Sequence, residues 1–100
     1  MPRHSETARL KAMLAAGARI SWEGRRQHAK QQATRRKVPI FVAERIIRTG
    51  TVTDLEVEVS GQERWRVSGR DPDGRPIDVV VAPIGDRNAL QVITVIRTDE

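Results

Sequence analysis

The hydrophobic pattern of this chain changes its period at Gly50, and this change constrains the fold more than any other feature. Before Gly50, apolar residues recur at spacings of three and four, as in Leu10, Met13 and Leu14, which is typical of amphipathic helices. After it, apolar and charged residues alternate, as in the segment 55–59, which is typical of half-buried strands. The pattern predicts an α+β fold, with N-terminal helices packed on one face of a three- to four-stranded antiparallel sheet.

Three helices are predicted before Gly50. Ser5 is a suitable N-cap for the first helix, and Gly17 lies near its end. The second helix should occupy roughly residues 23–37, because Pro39 disfavours the helical conformation at the residue before it. The same proline suits the first turn of a third helix, about residues 39–49, with Glu44 and Arg48 paired on its outer side. The predicted buried face of this third helix consists of Val42, Ala43, Ile46 and Ile47.

The strands are predicted from the alternating segments. A hairpin with its loop at residues 60–62 would set Val57 opposite Trp65 and Glu58 opposite Arg64, so that apolar residues meet and opposite charges meet. Two further strands are predicted over residues 77–82 and 90–96. One hundred residues fit a single domain. Its predicted parts are an N-terminal helix (1–19), a basic helix and a core helix (20–50), and the sheet (51–100).

Charge is distributed unevenly along the chain. Residues 1–50 carry twelve Lys and Arg against three acids, a net charge of +9, whereas residues 51–100 carry six Arg against ten acids, a net charge of −4. Six Lys and Arg fall between residues 25 and 37 without one acid among them. A solvated helix face would usually interleave glutamates, so this run indicates a polyanionic partner.

Several classes of protein are excluded by composition. The chain has no Cys and only two His, His4 and His28, which excludes disulfides and cysteine-based zinc sites. We therefore predict no metal and no cofactor. The polar start lacks the apolar core of a secretory signal, and no apolar run approaches a membrane span. The expected location is the cytoplasm, with no membrane partner.

The basic helix carries the best candidate site. On a helix, His28, Gln32 and Arg36 fall at i, i+4 and i+8 and form one stripe, flanked by Arg25 and Arg35. RNA cleavage without a metal ion needs a base for the 2′-hydroxyl, an acid for the leaving oxygen and cations for the phosphorane. Histidine suits the proton transfers and arginine suits phosphate contact. A lone histidine beside alanines is also often a packing residue, so both interpretations stay open.

Other residues are candidates for contact with RNA. Lys30 and Lys37 would add positive charge on the far side of the helix. Arg66 and Arg70 lie in the predicted sheet and are further candidates. Each also has a structural explanation, since Arg66 would face a cross-strand glutamate and Arg70 would pair locally beside the turn at residue 71. Thr94, in the last predicted strand, is the remaining candidate for the catalytic set.

The sequence also resembles a known family. His28-Ala29, Arg36 eight residues after the histidine, the segment 49–52 (T-G-T-V) and the segment 92–96 (V-I-T-V-I) are similar to the motifs of a widespread bacterial domain of unknown function. The resemblance covers about residues 20–96. Three positions depart from the family pattern: Gln32 replaces an arginine, Lys37 replaces a glycine, and Ile96 replaces an aromatic residue.

That family is similar in layout to RelE/BrnT-like toxins and is often encoded beside zinc-finger antitoxins of the YgiT/MqsA type. The resemblance implies the toxin of a type II toxin–antitoxin system, a metal-independent endoribonuclease that acts on RNA, either free RNA or ribosome-bound mRNA, and is silenced by an antitoxin protein. It places the family's functional residues on His28, Arg36 and Thr94. Two alternatives share the same basic run: a nucleic-acid-binding module without catalysis, and an interaction protein that accepts an acidic partner.

Overall fold

The computed structural model describes residues 2–24 and 28–99 of the chain. Within these ranges it contains helices α1 (His4–Ala15), α2 (His28–Arg35) and α3 (Ile40–Thr49), and strands β1 (Arg19–Ser21), β2 (Thr51–Val57), β3 (Glu63–Arg70), β4 (Pro76–Ile84) and β5 (Ala89–Arg97). A short 3-10 turn, Gly85–Arg87, joins the last two strands. The predicted order of helices followed by strands is confirmed except for β1, which precedes α2.

The sheet is larger than predicted and it is mixed. Its five strands have the order β1-β5-β4-β3-β2, and all neighbours are antiparallel except β1 and β5, which are parallel. The prediction of three to four antiparallel strands was therefore wrong, as was the assignment of the sheet to residues 51–100 alone. β1 has only three residues, which is too short for an alternating pattern to be visible.

The register of the first hairpin also differs from the prediction. Leu55, not Val57, lies opposite Trp65, and Glu56, not Glu58, lies opposite Arg64. The connection between β2 and β3 spans five residues, 58–62, rather than three. A bulge between Val52 and Asp54 supplies the extra residue on β2. The predicted register was shifted by two residues, which leaves each side chain on the same face.

The two faces of the sheet differ in what covers them. Trp65 and Val67 of β3 share one face with Val79 and Val81 of β4, their partners in the ladder, and all four side chains are fully buried. We call this the helix face, because it forms one core with buried residues of α1, α2 and α3. We call the opposite side, which carries Arg64, Arg66, Asp78, Gln91 and Thr94, the outer face.

The third helix matches its prediction most closely. Its bounds are Ile40–Thr49, Pro39 precedes it, and the four buried residues are those predicted. Ile46 packs against Gly69 of β3, where a side chain's Cβ would lie 3.0 Å from two Ile46 carbons. The predicted pair of Glu44 with Arg48 was wrong, because the Glu44 carboxylate accepts a hydrogen bond from Nε1 of Trp22 at 2.9 Å.

The predicted starts of the other two helices were wrong. Arg3 rather than Ser5 is the N-cap of α1, without a side-chain capping hydrogen bond, and Ser5 lies inside the helix. Gly17 adopts a left-handed φ of 84° after the helix, as its position near the end predicts. Glu23 and Gly24 lie outside helix α2, which is described from His28 onwards, so the predicted start near residue 23 was wrong. Among the described residues, no helix has the length and apolar character needed to cross a membrane.

Candidate active site

A groove of about 350 Å³ lies between the start of α2 and strand β5. Its apolar walls come from Trp22, Ala29, Val92 and Ile93, and its polar groups are His28, Arg64 and Gln91, with Gly24 at its margin. An apolar cleft with a few convergent polar groups is the usual form of a ligand site. We refer to this feature as the groove.

Two buried alanines of α2 hold His28 at the rim of the groove. Ala29 and Ala33 are buried, 4% and 1% exposed, and they anchor α2 against β5. His28 is the first described residue of this helix, and its side chain is exposed. Trp22, 7% exposed, is held by its hydrogen bond to Glu44 of α3. The imidazole therefore stands at the edge of a fixed apolar wall rather than within the core.

Arg64 reaches the groove from the outer face of the sheet. It lies on β3, and the groove residue Gln91 lies on β5, with β4 between them, so their Cα atoms are about 10 Å apart. Nη2 of Arg64 is 3.4 Å from Oε2 of Glu58, and both side chains are more than a third exposed. An exposed pair at this distance contributes only about 0–1 kcal/mol, so Arg64 can accept an anionic ligand at little cost.

Arg66 and Asp78 form a second polar pair on the outer face. Nε of Arg66 donates a hydrogen bond to the Asp78 carboxylate, which is the buried charged group of the described residues, 8% exposed. The Arg66 side chain is 38% exposed. Arg66 is thus oriented by a carboxylate of β4 rather than by the glutamate of β2 that the sequence pattern predicted.

The predicted stripe of His28, Gln32 and Arg36 is only partly formed. His28 and Gln32 lie one helical turn apart and both line a shallow concavity on the outside of α2. Arg36 follows the end of the helix, although its N–H still donates to the Gln32 carbonyl at 2.9 Å. His28 borders the groove, whereas Gln32 and Arg36 are absent from its lining.

Arg97 fixes the C-terminal end of α2. Its Nε donates to the Arg36 carbonyl and its Nη2 to the Lys37 carbonyl, the latter at 3.2 Å. Nη1 of Arg97 is 3.4 Å from the Asp71 carboxylate. The pKa of Asp71 is lowered, first by hydrogen bonds from backbone N–H groups of Arg75 and Asp73 and then by Arg97. The stretch from Arg36 to Lys37 is therefore tied to the turn between β3 and β4.

The remaining predicted residues do not meet at one point. Lys30 and Arg35 are exposed on the outside of α2, and Lys37 is exposed beyond its end. Arg70 donates to the Gly74 carbonyl at 2.7 Å within its own turn. Thr94 is half-buried opposite Val80 and is not part of the groove lining. Arg25 lies outside the described residues.

Sequence reasoning missed two of the three polar groups of the groove. Arg64 was interpreted only as the cross-strand partner of Glu58. Gln91 was not considered, although a polar amide between Leu90 and Val92 is a visible interruption of an apolar strand. Trp22 belongs to the buried core and also forms a wall of the groove.

Comparison with known families gives a match over most of the chain. The family described as a domain of unknown function, DUF4258, matches residues 26–97. This segment contains His28, Arg64 and Gln91, and it agrees with the resemblance to a bacterial domain of unknown function that the sequence motifs indicate. No curated protein and no solved structure matches the chain.

Proposed function

The chain belongs to the DUF4258 family, and we propose that it is an RNA-binding protein that cleaves RNA in the groove, with His28 as the proton-transfer group. The observation that carries the proposal is the groove itself, where an imidazole, a guanidinium and an amide converge on apolar walls. The part of the chain around it is basic, since no acid occurs between Glu23 and Glu44. Lys30 and Arg35, exposed on α2, would attract the RNA backbone.

The proposed reaction is an internal transfer at phosphorus. His28 removes the proton of a ribose 2′-hydroxyl, and the 2′-oxygen forms a bond to the adjacent phosphorus. The bond from phosphorus to the 5′-oxygen breaks, and that oxygen takes the proton back from the imidazolium. The products are a 2′,3′-cyclic phosphate and a 5′-hydroxyl, so protons and electrons balance. Arg64 would stabilise the extra negative charge on the phosphorane.

A cleavage assay with end-labelled single-stranded RNA tests the catalytic part. We expect His28→Ala to abolish cleavage and Arg64→Gln to slow it by about 10²-fold or more, which is the usual loss for one transition-state donor. His4→Ala is the matched control, because it removes the other histidine of the chain, which is exposed on α1, and should leave the rate unchanged. Equal rates for His28→Ala and the wild type would refute the role of His28.

Binding is measured separately from cleavage. The logarithm of the RNA-binding constant falls as the logarithm of the salt concentration rises. The magnitude of this slope should decrease by about 1.4 when Lys30 and Arg35 are both changed to Gln, because each phosphate contact on single strands contributes about 0.7. Arg87→Gln, exposed in the turn before β5, should not change the slope. Salt-dependent binding without cleavage would support the non-catalytic alternative. No measurable binding would refute an RNA partner altogether.

A protein partner is a second proposal with its own support. Phe41, the only phenylalanine of the chain, is 71% exposed and its neighbour Ile40 is 40% exposed. The exposed Lys37 and Arg45 lie nearby in the sequence. An exposed apolar patch with a basic rim suits an acidic protein with an apolar anchor. We propose that this is where an antitoxin would bind, if the chain is a toxin of the RelE/BrnT-like type.

The product of the neighbouring reading frame is the partner to test. We expect Phe41→Ser to weaken the complex at least tenfold, and expression of the chain without the partner to arrest growth. Val59→Ser is the control, because Val59 is equally apolar and fully exposed at the β2–β3 hairpin. If Phe41→Ser bound the partner with unchanged affinity, the interface would lie elsewhere on the protein. If expression of the chain without the partner left growth unchanged, the toxin assignment would be refuted.

A further inference from the structure

We propose that Arg66 binds the phosphate next to the one that is cleaved, and that the buried carboxylate of Asp78 positions its guanidinium for this contact. This inference rests on the proposed function, because it requires RNA to be cleaved in the groove beside Arg64. It gives a role to the Arg66–Asp78 pair of the outer face, which the cleavage chemistry does not use.

Asp78 is an unusual residue for its strand. It lies between Ile77 and Val79 of β4, and it is the buried charged residue of the part of the chain that the structure describes, 8% exposed. Burial of a carboxylate costs free energy, and a single ion pair with a partly exposed partner offsets this cost poorly. An apolar side chain would fill the same position without that cost. The carboxylate is therefore better explained by its effect on Arg66 than by stability.

The Asp78 carboxylate holds the guanidinium of Arg66 and leaves its two terminal nitrogens open. Nε of Arg66 donates to Asp78, and among the described residues no other group accepts a hydrogen bond from this side chain. Nη1 and Nη2 thus remain available, on a side chain that is 38% exposed. A planar guanidinium whose terminal N–H groups are both available is suited to bidentate contact with a phosphate. Arg66 is therefore an oriented phosphate donor rather than a freely moving surface cation.

Arg66 lies next to the groove along β3. Arg64, which lines the groove, is two residues away on the same outer face, so their Cα atoms are about 6.6 Å apart. This separation is comparable with that of neighbouring phosphates along an extended RNA strand. The exposed Asp54 and Glu56 of β2 lie opposite the two arginines and repel a phosphate on that side. The RNA strand therefore passes over β4, where Val80 adjoins Arg66 in the ladder.

Cleavage of oligonucleotides with one neutral phosphate tests the inference. Each substrate carries a single ribonucleotide, A, C, G or U, among 2′-O-methyl nucleotides, so that only one bond can be cleaved, and the substrate cleaved fastest is used. A methylphosphonate then replaces the phosphate that precedes or the phosphate that follows this bond. In the wild type, one of these two replacements should lower kcat/KM by about tenfold, the low end for a hydrogen bond to a charged group. In Arg66→Gln, which lacks the contact, the same replacement should lower kcat/KM by less than about twofold.

A second variant, Asp78→Val, separates positioning from charge. It removes the carboxylate, suits the apolar strand and makes the protein more positive. Long-range attraction alone would leave the effect of the neutral phosphate unchanged or make it larger. Because Asp78 orients the guanidinium, we expect this effect to shrink from about tenfold to about threefold. The matched control is Arg75→Gln, which removes an exposed arginine of the turn between β3 and β4 and should keep the full effect.

Each effect is a ratio of two kcat/KM values measured on the same protein, so partial unfolding of a variant does not change it. If neither replacement affected the wild type, or if Arg66→Gln showed the same effect as the wild type, the contact made by Arg66 would be overturned. An effect in Asp78→Val as large as that in the wild type would overturn the positioning role of Asp78. Failure of the wild type to cleave any of the four substrates would overturn the proposed function, and this inference with it.

Discussion

Replacing Lys37 by glycine should stabilise the protein. Lys37 has a left-handed φ of 56°, which costs a residue with a side chain roughly 1–2 kcal/mol. The Val38 N–H donates to the Ala33 carbonyl at 2.8 Å and the Lys37 N–H to the Thr34 carbonyl at 3.1 Å, a Schellman motif in which glycine is the usual residue. Glycine also gives the unfolded chain more conformational freedom, which favours unfolding by about 0.4–1 kcal/mol. The net increase in the free energy of unfolding is therefore about 0.5–1 kcal/mol.

Thermal unfolding followed by circular dichroism measures this gain. A change of this size should raise Tm by roughly 2–8 °C in a domain of 60–100 residues. Lys37→Ala is the matched control, because it removes the same ammonium group while the backbone stays left-handed. It should leave Tm nearly unchanged. If alanine stabilised as much as glycine, relief of repulsion within the basic run would be the cause, and the argument from φ would be refuted. An unchanged Tm in Lys37→Gly would refute it as well.

Two further predictions concern the packing and the acid stability of the domain. Gly50→Ala should lower the free energy of unfolding by about 1–3 kcal/mol in urea titrations, because its Cβ would lie 2.6 Å from the carbonyl oxygens of Ile46 and Ser68; an unchanged midpoint would contradict this close approach. The pKa of Asp71 is lowered by the hydrogen bonds that its carboxylate accepts, so its contribution is complete above the unfolded pKa of about 3.9 and is lost as pH falls through the lower folded pKa. In Asp71→Asn the free energy of unfolding should therefore fall less steeply below about pH 4 than in the wild type. An identical pH dependence of the two proteins would contradict this prediction.

The hydrophobic pattern was sufficient to predict which segments pack, but not how neighbouring strands align. A shift of two residues keeps every side chain of a strand on its face. The register with Val57 opposite Trp65 and the observed one with Leu55 opposite Trp65 therefore have the same alternation. The length of the connection and the bulge after Val52 distinguish the two registers, and neither feature is visible in the alternation of apolar and polar residues. Gly50 shows the same limit. Its position at the end of α3 was predicted, but its backbone is extended. A glycine is needed there because the neighbouring atoms leave no space for a side chain.

The candidate site depends on contacts between segments that are distant in the sequence, which explains why only His28 of its polar groups was predicted. The stripe of His28, Gln32 and Arg36 assumed that the helix extends to Arg36 and beyond, whereas α2 ends at Arg35. The His28 imidazole lies at the rim of the groove beside β5, and the cations Lys30 and Arg35 lie on the outside of α2. The basic run thus has two separable roles in the proposed function: its exposed cations would raise the local concentration of RNA, and His28 would take part in the chemistry. Gln32, where the resemblance implies an arginine, lies in the outer concavity of α2, outside the groove lining. It should therefore weaken RNA binding more than it slows cleavage, because the guanidinium proposed to face the reacting phosphate is that of Arg64.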